Sequence, residues 1–120
     1  MKLLIALAIA AASTGAAAQN WIGLLKNTPA ERFDEEDLRM FLDASRKALN
    51  EAPDNQVQSW ENPRTRARGD ITVLKSFESK GRPCKEARVR NQVPGRKGDN
   101  RFTLCKVDDK WRLLSAAQSK

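Results

Sequence analysis

The spacing of apolar residues changes twice along the chain. From Leu3 to Ala12 they run almost without interruption, after a lone charge at Lys2 and before the small residues Ala16-Ala17-Ala18. Between residues 34 and 52 they recur at helical spacing. Leu38, Phe41, Leu42, Ser45, Ala48 and Leu49 fall on one face, Asp34 stands at the N-cap, and Asp37 is placed three residues later as in a capping box. Glu35, Glu36 and Asp37 put negative charge in the first turn and Arg46 and Lys47 lie near the end, as the helix dipole favours. Pro53 closes the run. From residue 56 onward the segments become short: Gln56–Trp60, Ile71–Phe77, Cys84–Val93, Arg96–Val107 and Trp111–Leu114. They are separated by Glu61-Asn62-Pro63, Ser79-Lys80-Gly81, Pro94-Gly95 and Asp108-Asp109, which are turn residues. The pattern predicts an α+β fold: an N-terminal helix packed on a roughly five-stranded antiparallel meander.

The first apolar run belongs outside that fold. A charged start, an apolar stretch and a small-residue A-x-A end make residues 1–18 a secretory signal peptide. The run is shorter than the ~20 residues a membrane-crossing helix needs, so no transmembrane span is expected after cleavage at Ala18/Gln19. Residues 19–32 form an apolar docking segment around Trp21-Ile22-Gly23-Leu24-Leu25, and residues 33–120 the α+β domain.

Export bears on the two cysteines. An oxidising compartment makes a Cys84–Cys105 disulfide the default expectation. The register supports it. With Pro94-Gly95 as the turn and Val93 and Arg96 closing it, counting outward places Cys84 directly opposite Cys105 at a non-hydrogen-bonded site, where strands approach most closely. Ala87, Val89, Val93, Phe102 and Leu104 then share one face. Cys84, Glu86, Arg88, Arg90, Lys97, Arg101, Thr103 and Cys105 share the other, which puts the disulfide on the polar side. A tight turn at Asp108-Asp109 adds Trp111 and Leu113 to the apolar face and Arg112 to the cysteine face. The expected core aromatics are Phe41, Trp60, Phe102 and Trp111.

Composition narrows the chemistry. The 120 residues include 22 Lys and Arg, 15 Asp and Glu, and no histidine. Ser-His-Asp and Cys-His nucleophile systems are thereby excluded, as are His₃ and Cys₂His₂ zinc sites. No carboxylate pair is held at a catalytic spacing, so no enzymatic activity, metal or cofactor is expected. The formal charge of +7 is uneven: residues 19–55 carry −3 and residues 56–120 carry +9. Arg64, Arg66 and Arg68 crowd the first hairpin, and Arg88, Arg90, Arg101 and Arg112 line the cysteine face. Arg88 stands opposite Arg101, an arrangement that costs stability unless solvent or a bound anion compensates it. The basic face is either simply solvated or offered to an anionic envelope component or envelope protein. Arg66, Arg68, Arg88, Arg90, Arg101 and Arg112 are its candidate binding residues. Nucleic acid is not an expected partner, because the chain carries an export leader and no aromatic-interleaved basic motif.

Phe33-Asp34-Glu35-Glu36-Asp37-Leu38, Ala48-Leu49-Asn50, Trp60-Glu61-Asn62-Pro63, Gly81-Arg82-Pro83-Cys84-Lys85-Glu86, Thr103-Leu104-Cys105-Lys106 and Asp108-Asp109-Lys110-Trp111 resemble stretches of the bacterial 17 kDa surface antigen family. The resemblance spans roughly residues 33–114. It implies an exported, disulfide-stapled β domain of a Gram-negative-type envelope, periplasmic or outer-membrane associated. A small secreted inhibitor or accessory protein of a cell-wall or envelope enzyme is the alternative. A lysozyme inhibitor, however, should be acidic to meet a basic enzyme.

Overall fold

The computed structural model describes residues 26–118, with side chains described through Leu114. The proposed leader and Trp21–Leu25 lie outside the described residues. A 3-10 turn (Pro29–Arg32) leads into helix α1 (Glu35–Asn50). Five strands follow: β1 (Val57–Asn62), β2 (Ala67–Ser79), β3 (Arg82–Val93), β4 (Arg96–Val107) and β5 (Lys110–Gln118). They form one antiparallel sheet in the order β1-β2-β3-β4-β5, so every strand pairs with its sequence neighbours. The α+β fold expected from the sequence is the one observed.

The helix begins where the polar signals place it. Asp34 accepts from the Asp37 amide at 2.8 Å, and Asp37 reciprocates from its side chain to the Asp34 amide at 3.1 Å. This satisfies two of the amides that a helix start leaves without partners. The helix stops two residues before the expected end, at Asn50. Phe41, Ala44, Ala48 and Leu49 turn inward onto Trp60, Ile71, Val73, Val89, Phe102 and Leu104. Phe33, just before the cap, stacks edge-on against Phe41 and Trp60, with ring centroids 5.9 and 5.1 Å away. Such edge-to-face contacts add to simple area burial.

The strands run longer than their apolar cores. β2 extends from Ala67 to Ser79, because hairpin pairing continues through polar residues beyond Ile71–Phe77. Arg66, Lys80, Asp108 and Asp109 turn the hairpins at φ values of 53–68°, and Gly81 and Gly95 do so at 75° and 84°. Val93 pairs with Arg96 and Cys84 with Cys105, as the turn at Pro94-Gly95 predicts. The disulfide is formed, with Cα atoms 4.0 Å apart.

Two points correct the sequence expectation. Cys84 and Cys105 lie on the polar face by register, yet they are only 1% and 2% exposed. Phe77 pairs with Cys84 and Arg112 with Cys105, so neighbours on β2 and β5 flank the cystine within one row. A bulge at Leu74 shifts β2 by one residue and brings Phe77 into that row. Trp111, expected in the core, packs at its margin half-buried. Its indole N–H donates to Asn50 Oδ1 at 2.9 Å, and the ammonium groups of Lys85 and Lys106 lie 5.7 and 5.6 Å from its ring centre. Phe41, Trp60 and Phe102 are buried as expected.

Candidate functional site: the outer face of the sheet

Helix α1 and the 3-10 turn both pack on one side of the sheet, the inner face. Among the described residues, no element covers the other side. This outer face receives every second residue of each strand, since side chains alternate along a strand. Arg68, Arg88, Arg90, Arg101 and Arg112 all project there by register. Arg66 does not. It occupies the β1–β2 turn with φ 68° and is not part of the face.

The face is a ladder of matched charges more than an arginine patch. Arg88 does stand opposite Arg101, but their charges are compensated, contrary to the sequence expectation. Arg88 reaches diagonally to Asp99, with Nε–Oδ1 at 2.9 Å and Nη2–Oδ2 at 2.5 Å. This bidentate pair raises the Arg88 pKa above its ordinary value, chiefly through the hydrogen bonds to Asp99. Arg90 forms a second bidentate pair with Asp70 on β2, both contacts at 3.1 Å. Glu86 sits between Arg101 at 3.7 Å and Lys75 at 3.9 Å. Asp70 and Asp99 are the functional residues that the sequence reading missed. The β3–β4 register alone could have exposed Asp99, which lies two residues from Arg101 on the same strand and face. Asp70 comes from β2, beyond the bulge.

The matched pairs divide the face into two halves. One half surrounds the cystine. There Lys75, Arg82, Arg101, Lys110 and Arg112 face one carboxylate, Glu86, while Arg88 is neutralised by Asp99. Lys75, Arg101, Lys110 and Arg112 are exposed. The Arg82 Nε is buried without a hydrogen-bond partner.

The other half contains an open groove of about 810 Å³ that crosses β1 to β4 at right angles to the strands. One bank is the row Ser59, Asp70, Arg90, Asp99, and the other is Glu61, Arg68, Gln92, Lys97. Between them runs the row Trp60, Gly69, Asn91, Gly98, whose side-chain positions point inward and whose backbone forms the floor. The two glycines are dictated from below. A Cβ on Gly69 would lie 2.0 Å from Asn91 Oδ1 and 2.5 Å from the Arg90 carbonyl. One on Gly98 would lie 2.5 Å from the Pro29 ring of the 3-10 turn.

A further carboxylate cluster at the helix start is structural. The Asp37 carboxylate, 2% exposed, accepts from Asn62 Nδ2 at 2.7 Å and from Thr65 Oγ1 at 2.6 Å. Asn62 also donates to Glu36 at 3.0 Å and accepts from the Arg64 amide at 3.1 Å. The Arg64 guanidinium bridges Asp34 and Glu36. The Asp37 amide and then Arg64 hold the Asp34 carboxyl below its ordinary range, and Arg64 and then Asn62 do the same for Glu36. The Trp-x-Asn-Pro step thus ties the helix to the first hairpin.

Among the described residues, no helix is long and apolar enough to cross a membrane. Comparison of the chain with family models, with curated proteins and with solved structures finds no match in any of the three.

Proposed function

We propose that this chain is a non-enzymatic exported envelope protein that binds an anionic envelope component through the cystine end of its outer sheet face. The segregation of charge carries the reading. Five cations gather around one carboxylate at that end, on a surface no described element covers. Such a one-signed field attracts phosphate or carboxylate groups and raises the rate of encounter with them. The leader pattern of residues 1–18, the cystine and the motifs resembling the 17 kDa surface antigens support an envelope location. A disulfide is compatible with export to an oxidising compartment.

This footprint differs from the one the sequence offered. Arg88 and Arg90 are each held by a carboxylate and serve the sheet. Arg101 and Arg112 remain, joined by Lys75, Arg82 and Lys110. The test compares two charge reversals of equal size on a heparin-like or lipopolysaccharide resin. Arg101→Glu with Arg112→Glu should elute at clearly lower salt than Arg68→Glu with Lys97→Glu. Equal losses from both double variants would reduce the effect to net charge and refute a localised site.

A further inference from the structure

We propose that the transverse groove is a second binding site, and that it takes a neutral, hydroxyl-rich oligosaccharide strand. Three observations define the ligand. The first is charge. The groove's banks hold three cations, Arg68, Arg90 and Lys97, against three carboxylates, Glu61, Asp70 and Asp99. A purely anionic chain would meet the carboxylates and a purely cationic chain the guanidinium and ammonium groups, and like charges placed together across an interface are strongly disfavoured. A hydroxyl both donates and accepts, so it suits both.

The second observation is the shape and its lining. Four adjacent strands at ~4.8 Å spacing give the groove a length of roughly 14 Å between its outer strands. Its volume lies within the range of ordinary small-ligand sites. Neither bank carries an aliphatic or aromatic side chain. A peptide would find no pocket for the buried anchors on which protein partners depend. The middle of the floor, Gly69 on β2 and Asn91 on β3, cannot pair with an added strand either, because both strands already have a ladder on each side there.

The third observation is rigidity. Arg90 is fixed by Asp70 in a bidentate pair, Asp99 is fixed by Arg88, and Arg68 lies 3.4 Å from Gln92. These pairs orient donors and acceptors before a ligand arrives, which reduces the ordering cost of binding. The inference does not rest on the anionic site at the cystine end, and either can fail alone.

The ¹⁵N-labelled protein titrated with tetra-N-acetylchitotetraose provides the test. Amide shifts should centre on Gly69, Asn91 and Gly98. Gln92→Trp, which fills the groove, should weaken the response at least tenfold. Ser59→Trp on the edge strand should do the same and guards against loss of fold in the first variant. Arg112→Glu should leave the response unchanged. The proposal is overturned by the absence of shifts at about 10 mM sugar, well beyond useful affinity. Shifts centred elsewhere, or undiminished in both tryptophan variants, also overturn it. So does an acidic heparin tetrasaccharide, or an alternating Lys/Glu peptide, that moves these same amides while the neutral sugar does not.

Discussion

Truncating Asn62 to alanine should destabilise the protein more than any exposed substitution. Asn62 is 3% exposed, and its amide donates to the buried Asp37 carboxylate at 2.7 Å. A hydrogen bond to a charged group contributes about 1.5–3 kcal/mol. Alanine also strands the Asp37 carboxylate, which keeps only Thr65 Oγ1 and the Asp34 amide. The contacts to Glu36 and to the Arg64 amide are more exposed and add little. The expected loss is about 2–3 kcal/mol, a large share of the ~5–15 kcal/mol that holds a domain together. For a domain of this size that corresponds to a fall in Tm of roughly 10–20 °C. Urea unfolding followed by tryptophan fluorescence measures it, with the midpoint moving and the slope unchanged. A double-mutant cycle with Asp37→Ala isolates the pair and should return a coupling of about 1 kcal/mol or more. A loss below about 0.5 kcal/mol, or additive single variants, would refute the claim that this contact anchors the helix to the hairpin.

Reduction of Cys84–Cys105, or its replacement by paired serines, should cost about 3 kcal/mol for a loop of 21 residues; an unchanged Tm with and without reductant would contradict this. Gly69→Ala should destabilise by about 1–3 kcal/mol because its Cβ meets the Arg90 backbone as well as Asn91, and thermal melts matching the parent would show that the sheet yields at no cost. Acid should weaken the protein through Asp34 and Glu36. Both carboxyls are held below their ordinary values of 3.8 and 4.5, so their stabilisation is complete above that range and fades as pH falls through it toward the lowered values. Arg64→Met removes the main partner of Glu36. Its urea midpoint should fall below the parent's at pH 7 by more than it does at pH 3, and an equal gap at both pH values would exclude the linkage. With no histidine, no side chain of ordinary pKa titrates between about pH 6 and 8, and stability should be flat there.

The β3–β4 hairpin was legible in detail because one turn fixes every pair beyond it. Pro94-Gly95 set Val93 against Arg96, and the cysteines followed nine steps down the same ladder. Helix α1 was legible for a similar reason, since capping and periodicity are local. The outer face was only half legible. Alternation gave which arginines share it, but ion pairs choose partners diagonally and across strands. Arg88 stands opposite Arg101 yet binds Asp99 diagonally, and Arg90, which has Asp99 opposite it on β4 and Asp70 opposite it on β2, binds Asp70. The cystine's burial depends on Phe77, whose position follows from a one-residue bulge that no local signal announces. Asn62 is 25 residues from Asp37. Its role as the link between helix and hairpin therefore emerges only once the two are packed together.

The strand order of the sheet bears on how the chain reaches this state. Each strand pairs with the one made just before it, so no distant segment must be recruited to complete the sheet. Short loop closures carry a small entropic cost, and folding should be quicker than in sandwich folds with long crossovers. The cystine joins two strands that a tight turn already holds side by side. If the hairpin forms early, the crosslink has little distance left to close. Because it acts on the unfolded chain and not on a transition state in which these strands are already paired, its loss would be felt mainly in how fast the sheet assembles, and much less in how fast the native sheet opens.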